Sequence, residues 1–528
     1  MELFLFSSII GAFLLLIRSV IVAWKCRALP PGPRGLPVLG NVLQLRTSQS
    51  LWFTFDKLKA QYGPIVYLNM AGKDIIVLNT KAAAIELLER RSAIYSNRPL
   101  NIVSQHLGSE LAMPFTQYGK SWQTMRRAGH AVLNARISTE YQPLQIEEAI
   151  ILVHGLLSDN SRSLIAKINN SASTIISVIY GKRSLPSGRV ESKILNRAPQ
   201  TQQSTHGTTE SSDKLQITSD PLQTLSNIAH RFTNAMYPGA HFVEFMPILD
   251  CLPSAIAKWK REAQRDFQCI SHVFGNYFND AGFSGQVKND QRQASLCIKL
   301  ADDQEATGLS DLENAWVAGS LSVAALETTS TTLSFFLHAM TLHPEVQIEA
   351  QLEIDRVVGR SRNPTFADMK HLPYVRAIVK EVLRWQPAIP LAVPHAVMED
   401  DWYEGYFIPK GTQCIPNIWK RSLNCCSFFR SMNHDKEIYG PDADKFRPER
   451  FLRQSDKGTG FEFRPEFEDE DGHCAYGFGR RFCVGRHVAD NALFIDICTI
   501  LWALRIEHAA STDPVAPTRQ GSTKDILK

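Results

Sequence analysis

The sequence predicts a mainly α-helical chain with a small β-rich subdomain, and three stretches predict it. After Ser310 no proline intervenes before Pro344, and the run between them is apolar on nearly every side. That gives a helix of roughly 33 residues and about 50 Å, which must cross a core. Residues 65–68 and 75–78 are short apolar runs on either side of Ala71-Gly72-Lys73, the pattern of a β-hairpin. A glycine-flanked cysteine loop ends at Gly485, and an apolar helical run follows it to about Leu504.

The 528 residues contain no linker that separates two cores, so one large domain is expected, over 38–510. A net charge of +4 with 21% charged residues gives no electrostatic case for nucleic acid as a partner. Ten cysteines form no C-x-x-C pair and no regular spacing, which argues against a zinc site or a disulfide framework and for reduced thiols.

Taken in order, residues 3–24 are apolar apart from Ser7, Ser8, Arg18 and Ser19, and about 20 such residues suffice to cross a bilayer as a helix. No small-residue cleavage site follows, so 1–29 reads as a retained membrane anchor rather than a signal peptide. Lys25, Arg27 and Arg34 place the downstream chain on the cytoplasmic side. Pro30, Pro31, Pro33 and Pro37 make 30–37 a stiff, proline-rich hinge. Leu51 to Tyr62 has helical spacing, whereas 98–115 mixes apolar and polar residues without periodicity and suits a loop. Trp122 and Arg126, four apart, share one face of a short helix. Residues 184–220 are polar and almost lack aromatics, as a surface loop does, and 238–253 returns to apolar, proline-punctuated sequence.

Ser310-Asp311-Leu312-Glu313 is a capping box that opens the long helix. Its middle holds Glu327, Thr328 and Thr329, and an acid with two hydroxyls inside a core helix is costly unless it works. Glu381 and Arg384 are three apart on a helix face and can pair. The chain closes on a polar tail, 511–528.

The cysteine loop carries the most chemistry. Cys483 is flanked by Gly477, Gly479 and Gly485, with Arg481 two residues upstream, so the backbone can approach a flat ligand closely and an arginine is placed to pair with an anion. That composition describes a thiolate beneath a haem, with free N–H groups tuning the sulfur and Arg481 holding a propionate. A glycine-rich turn around a buried structural cysteine is the plainer reading of the same residues.

The loop does not stand alone. Y-G-F-G-R-R-F-C-V-G at 476–485, W-x-x-x-R at 122–126, A-A-L-E-T-T at 324–329, E-x-x-R at 381–384 and F-R-P-E-R-F at 446–451 together resemble the cytochrome P-450 monooxygenases, specifically the fungal membrane-bound type. The resemblance implies a haem-thiolate fold with haem b, its iron carried by Cys483. It implies Trp122, Arg126, His395 and Arg481 at the haem propionates, Gly479 and Gly485 against the cofactor, and Thr328 with Glu327 relaying protons to oxygen. It makes Glu381, Arg384 and Arg450 a structural triad, and Ile102, Val103, Leu107, Leu111, Phe115 and 389–393 pocket candidates. The activity implied is insertion of one atom of O2 into an apolar small molecule, for instance a fungal secondary metabolite, with electrons from NADPH through a membrane reductase or from cytochrome b5. The protein would sit in the endoplasmic reticulum membrane by a single span. Peroxide-dependent haem-thiolate chemistry without a reductase, and a haem protein that no longer catalyses, are the other readings.

Four departures from the family pattern stand out. Tyr476 replaces the usual phenylalanine and adds a hydroxyl that needs a partner. Ala325 replaces a glycine, which narrows the groove expected to admit dioxygen. Residues 420–431 are an insertion between Trp419 and Met432, either a retained piece of non-coding sequence or a surface loop, and joining Trp419 to Met432 is expected to restore the usual tether to Arg450 and Cys483. The polar tail takes the place of an apolar strand pair.

Overall fold

The computed structural model describes residues 28–46, 51–158, 173–181, 215–236, 240–283, 295–419, 431–455, 460–467 and 472–507. The expected anchor at 3–24, most of 184–220, the insertion at 420–430 and the tail at 511–528 lie outside them. Among the described residues no helix is long and apolar enough to cross a membrane, and no disulfide forms; Cys297, Cys414, Cys474 and Cys498 are buried. The chain divides into two compact units, the first made of 1–99, 390–441 and 477–482, the second of the remainder.

The first unit holds most of the β-structure. Helix α1 (Leu51–Tyr62) turns Leu51, Phe55, Leu58 and Tyr62 onto one stripe, and that stripe packs with Val66, Leu68, Ile75 and Val77. β1 (Ile65–Met70) and β2 (Lys73–Leu78) pair antiparallel from Ile65 opposite Leu78 to Met70 opposite Lys73. The two residues between them, Ala71 and Gly72, both have positive φ, 50° and 95°, so the hairpin turns through the tight form whose twist matches its strands. The sheet is completed in the order β1-β2-β6-β3 by β3 (His395–Ala396) and β6 (Gln413–Pro416), while β4 (Asp401–Tyr403) and β5 (Tyr406–Ile408) form a separate hairpin. The proline-rich stretch is stitched to this unit: the Pro31 carbonyl accepts from Tyr67 N at 2.9 Å and the Ala28 carbonyl from Phe407 N at 2.6 Å.

The described residues on either side of the insertion, up to Trp419 and from Ser431, are hydrogen-bonded to each other. Met432 N donates to Asn417 O at 3.3 Å and Asn433 N to Ile418 O at 3.0 Å. Ser431 is itself fully buried and accepts from His434 N at 3.1 Å. The last residue of the expected insertion is therefore packed into the fold.

The second unit is helical, with one short hairpin of β7 (Leu452–Gln454) and β8 (Phe461–Phe463). Its main helices are α2 (Ile102–Gly108), α3 (Lys120–Leu133), α4 (Gln142–Ser158), α5 (Pro221–Met236), α6 (Lys258–Phe283), α7 (Asp311–Leu342), α8 (Pro344–Val357), α9 (Pro373–Trp385) and α10 (Arg486–Ala503). α2 occupies the stretch expected to be a loop. Asn101 caps it, its side chain accepting from Ser104 N at 2.7 Å, and Ser109 ends it in a left-handed conformation. Periodicity failed there because Ile102, Val103, Ser104, Leu107 and Gly108 are buried on more than one side.

α7 opens on the expected capping box, Ser310 and Glu313 each bonding the other's backbone. It passes through two apolar clusters. Ala315 to Leu326 pack with Trp122, Met125, Phe232 and Phe274 in one, and Leu333 to Met340 with Val375, Ile378, Phe494 and Ile497 in the other. Several hydroxyls along it are absorbed by the helix, donating to the carbonyl four residues back: Ser322 to Ala318, Ser330 to Leu326, Thr332 to Thr328 and Ser334 to Ser330, at 2.7 to 2.9 Å.

The triad expected from the sequence forms within this unit. Glu381 and Arg384 on α9 are fully buried and meet in a bidentate pair at 2.7 Å for each bond. Arg450 Nε reaches both Glu381 oxygens at 3.1 Å. Backbone groups satisfy what remains: Arg384 donates to Ala443 O and Lys445 O, Arg450 donates to Asp442 O and Lys445 O, and Arg447 N donates to Glu381.

Candidate functional site

In the second unit the buried run of α7 is interrupted. Between buried Ser322 and buried Thr329, Ala324 is exposed, and Val323, Ala325, Glu327 and Thr328 are half-buried. An opening in the middle of a core helix is a place for something other than protein. Thr328 Oγ1 faces it while donating to Ala324 O at 2.9 Å, which leaves the hydroxyl's lone pairs as acceptors. Glu327 Oε1 accepts from Ser226 Oγ of α5 at 2.7 Å. Ala325, in place of the family's glycine, is half-buried against the first apolar cluster.

Cys483 lies just before α10. Its N–H donates to Tyr476 O at 2.9 Å, closing the loop. The Tyr476 hydroxyl finds the partner it requires in the Asp490 carboxylate. Burial pushes the Cys483 thiol up, while a hydrogen bond from Gly485 N–H and the cations of Arg126 and Arg486 pull it down, against Asp490, which raises it. The sulfur residue nevertheless keeps accessible surface, and a Cβ added at Gly485 would meet no atom within 4 Å. A deep thiol with open space beside it is what a flat ligand over sulfur requires.

α3 supplies the aromatic and the cation. Trp122 is buried against Tyr118, their rings 5.2 Å apart. Arg126, one turn on, is half-buried, with burial lowering its pKa and Cys483 raising it. A Cβ built on Gly129 of the same helix would lie 3.8 Å from Leu321 and 3.9 Å from Val484, so the helix runs close to α7 and to the residue after Cys483.

The first unit holds the other two expected anion-binding residues together. His395, 3% exposed, has Nδ1 at 2.8 Å from Tyr95 O. A carbonyl only accepts, so Nδ1 carries the proton and Nε2 is the open position. Burial, with Arg98 and then Arg481, lowers the histidine pKa to about 3. Arg98 donates to Val393 O and Pro394 O at 2.8 Å, and Arg481 Nε to Ser96 O at 2.8 Å. Folding therefore excludes a proton from His395 that the unfolded chain takes up between pH 6.5 and about 3, and stability falls with acid across that window. In the haem-free protein, His395→Gln should flatten this slope by about 3 kcal/mol between pH 7 and pH 4, read from urea midpoints. An unchanged slope would place the acid sensitivity elsewhere.

Some expected positions do other work. Gly479 is required by the protein itself: its φ is +56°, and a Cβ there would come within 2.0 Å of the Leu88 carbonyl oxygen. Ile102, Val103 and Leu107 are at most 5% exposed and pack as core, because α2 turns them inward. Phe115 is half-buried and stacks on Phe232 at 5.6 Å. Leu391 packs on the cluster behind the sheet of the first unit, and Ile389 is exposed. Ser226 was invisible in the sequence, since nothing local connects it to Glu327 101 residues later.

Comparison with known proteins gives one consistent result. The family model described as Cytochrome P-450 matches residues 30–525. A cytochrome P-450 monooxygenase of Armillaria gallica is 41% identical over 94% of this chain and 86% of its own length. Cytochrome P-450 monooxygenase 58 of Postia placenta is 42% identical over 96% and 88%. Cytochrome P-450 monooxygenase iboC of Amanita muscaria is 35% identical over 95% and 89%.

Proposed function

The chain belongs to the cytochrome P-450 family, and from that premise we propose that it oxidises an apolar small molecule of fungal secondary metabolism at the opening in α7. The family's members are monooxygenases whose cofactor is haem b on a cysteine thiolate, and the haem when bound activates dioxygen with electrons passed on by a reductase. Cys483 is the residue proposed to carry the iron. Trp122, Arg126, Arg481 and His395 are proposed to take the propionates. His395 can do so only by gaining a proton at Nε2, since Nδ1–H is committed to Tyr95 O and a carboxylate needs a donor. Gly485 leaves the space above the loop clear.

The observation that carries the reading is the interrupted burial of α7 with an acid and a hydroxyl at the break. Thr328, once it turns from Ala324 O, presents a proton into the opening, and Glu327 is the neighbouring group able to resupply it. With ethoxycoumarin as an apolar probe and reductase present, Thr328→Ala should keep its haem absorbance while product per NADPH falls about tenfold and peroxide rises to match. Unchanged coupling would remove Thr328 from the relay. Product formation that needs peroxide and no reductase would replace the monooxygenase reading with the rearrangement chemistry.

We also propose that 3–24 spans the endoplasmic reticulum membrane with the rest of the chain cytosolic. The length and apolarity of that stretch and the basic residues after it support this. So does an exposed apolar strip on the second unit, Phe242, Met246, Ile248, Leu252 and Ile256, which suits a lipid surface.

A further inference from the structure

We propose that Ser226 is a positioning residue for Glu327, tying the acid of the proton relay to helix α5; this rests on the relay reading above. The Ser226 hydroxyl donates to Glu327 Oε1 at 2.7 Å, a short bond to a charged acceptor between two helices. No other hydrogen bond to the Glu327 side chain is made by a described residue, so this bond sets the carboxylate's orientation. Thr328, its neighbour, is engaged with its own helix at Ala324 O. Both members of the relay are therefore engaged with other partners, Thr328 with α7 itself and Glu327 with α5.

α5 packs on α7 through Phe232 and Trp316, and it is anchored at further points that do not involve α7. Arg231 pairs with Asp266 of α6 at 2.8 Å, both buried, and Asn101 donates to Ala235 O at 3.3 Å. Ser226 thus stands on a helix fixed by α6 and by the N-cap of α2, and it transmits that placement to Glu327. The hydroxyl also has two lone pairs, and Ser226 is half-exposed. It can accept a further hydrogen bond while it donates to the carboxylate.

The test uses the full-length haem-loaded protein and three variants. The infrared carboxylate stretch of Glu327 is identified as the band lost in Glu327→Gln. In Ser226→Ala this band should shift, and in Ser226→Thr, which keeps the hydroxyl, it should return. With ethoxycoumarin and reductase, product per NADPH should fall roughly three- to tenfold in Ser226→Ala at unchanged haem content and recover in Ser226→Thr. A band that does not move in Ser226→Ala overturns the proposal. So does a Ser226→Ala variant that keeps full coupling while Glu327→Gln loses it, an outcome that leaves the relay itself standing. If neither Glu327→Gln nor Thr328→Ala changes coupling, the relay reading fails and the role of Ser226 falls with it.

Discussion

Cys483→Ser should give a folded protein with no thiolate-type red-shifted band in the carbon monoxide difference spectrum and with turnover at background. The substitution keeps nearly the same volume, and the hydrogen bonds that build the loop come from backbone, Cys483 N–H to Tyr476 O and Gly485 N–H to the side chain. The stability change is therefore expected to stay near or below about 1 kcal/mol. What is lost is the ligand: a neutral hydroxyl binds iron poorly where a thiolate binds it well. Thermal unfolding beside the spectrum separates the two effects. A serine variant with full turnover would end the haem-thiolate assignment of this loop.

Glu381→Ala should be the most damaging substitution for the fold. It strands two buried guanidinium groups, Arg384 and Arg450, that share one carboxylate. Breaking a buried pair by removing one partner costs about 3–5 kcal/mol, and here two cations are uncovered at once. Against a total stability of about 5–15 kcal/mol that leaves little folded protein. Soluble yield and haem content report it. Replacing Glu381, Arg384 and Arg450 together by Leu, Leu and Met should be milder than Glu381→Ala alone, because no charge is left stranded. If the single variant folds as well as the native chain, the triad is not what holds α9 to the 442–450 segment.

What the sequence made legible was local or charge-paired. The hairpin at Ala71-Gly72, the capping box at Ser310 and the amphipathic stripe of α1 each rest on residues within a few positions of one another, and each formed. Glu381 with Arg384 was legible for the same reason, three residues apart on one helix. α2 was not, because a helix buried on several sides loses the periodicity that reveals helices. The role of Gly479 depends on the Leu88 carbonyl and that of Ser226 on Glu327, contacts that only the folded chain creates. His395 could be named from its motif, but its tautomer follows from Tyr95 O, 300 residues earlier.

The paired flanks at Asn417–Met432 and Ile418–Asn433 bear on how the gene can vary. The backbone on either side of 420–430 is already closed on itself, Met432 N on Asn417 O and Asn433 N on Ile418 O. A loop with fixed ends pays mainly for its length, about 0.6 kcal/mol for each doubling. Two transcripts, one with and one without the codons for those residues, would therefore encode the same strand, the same buried turn at 431–434 and the same path to Arg450.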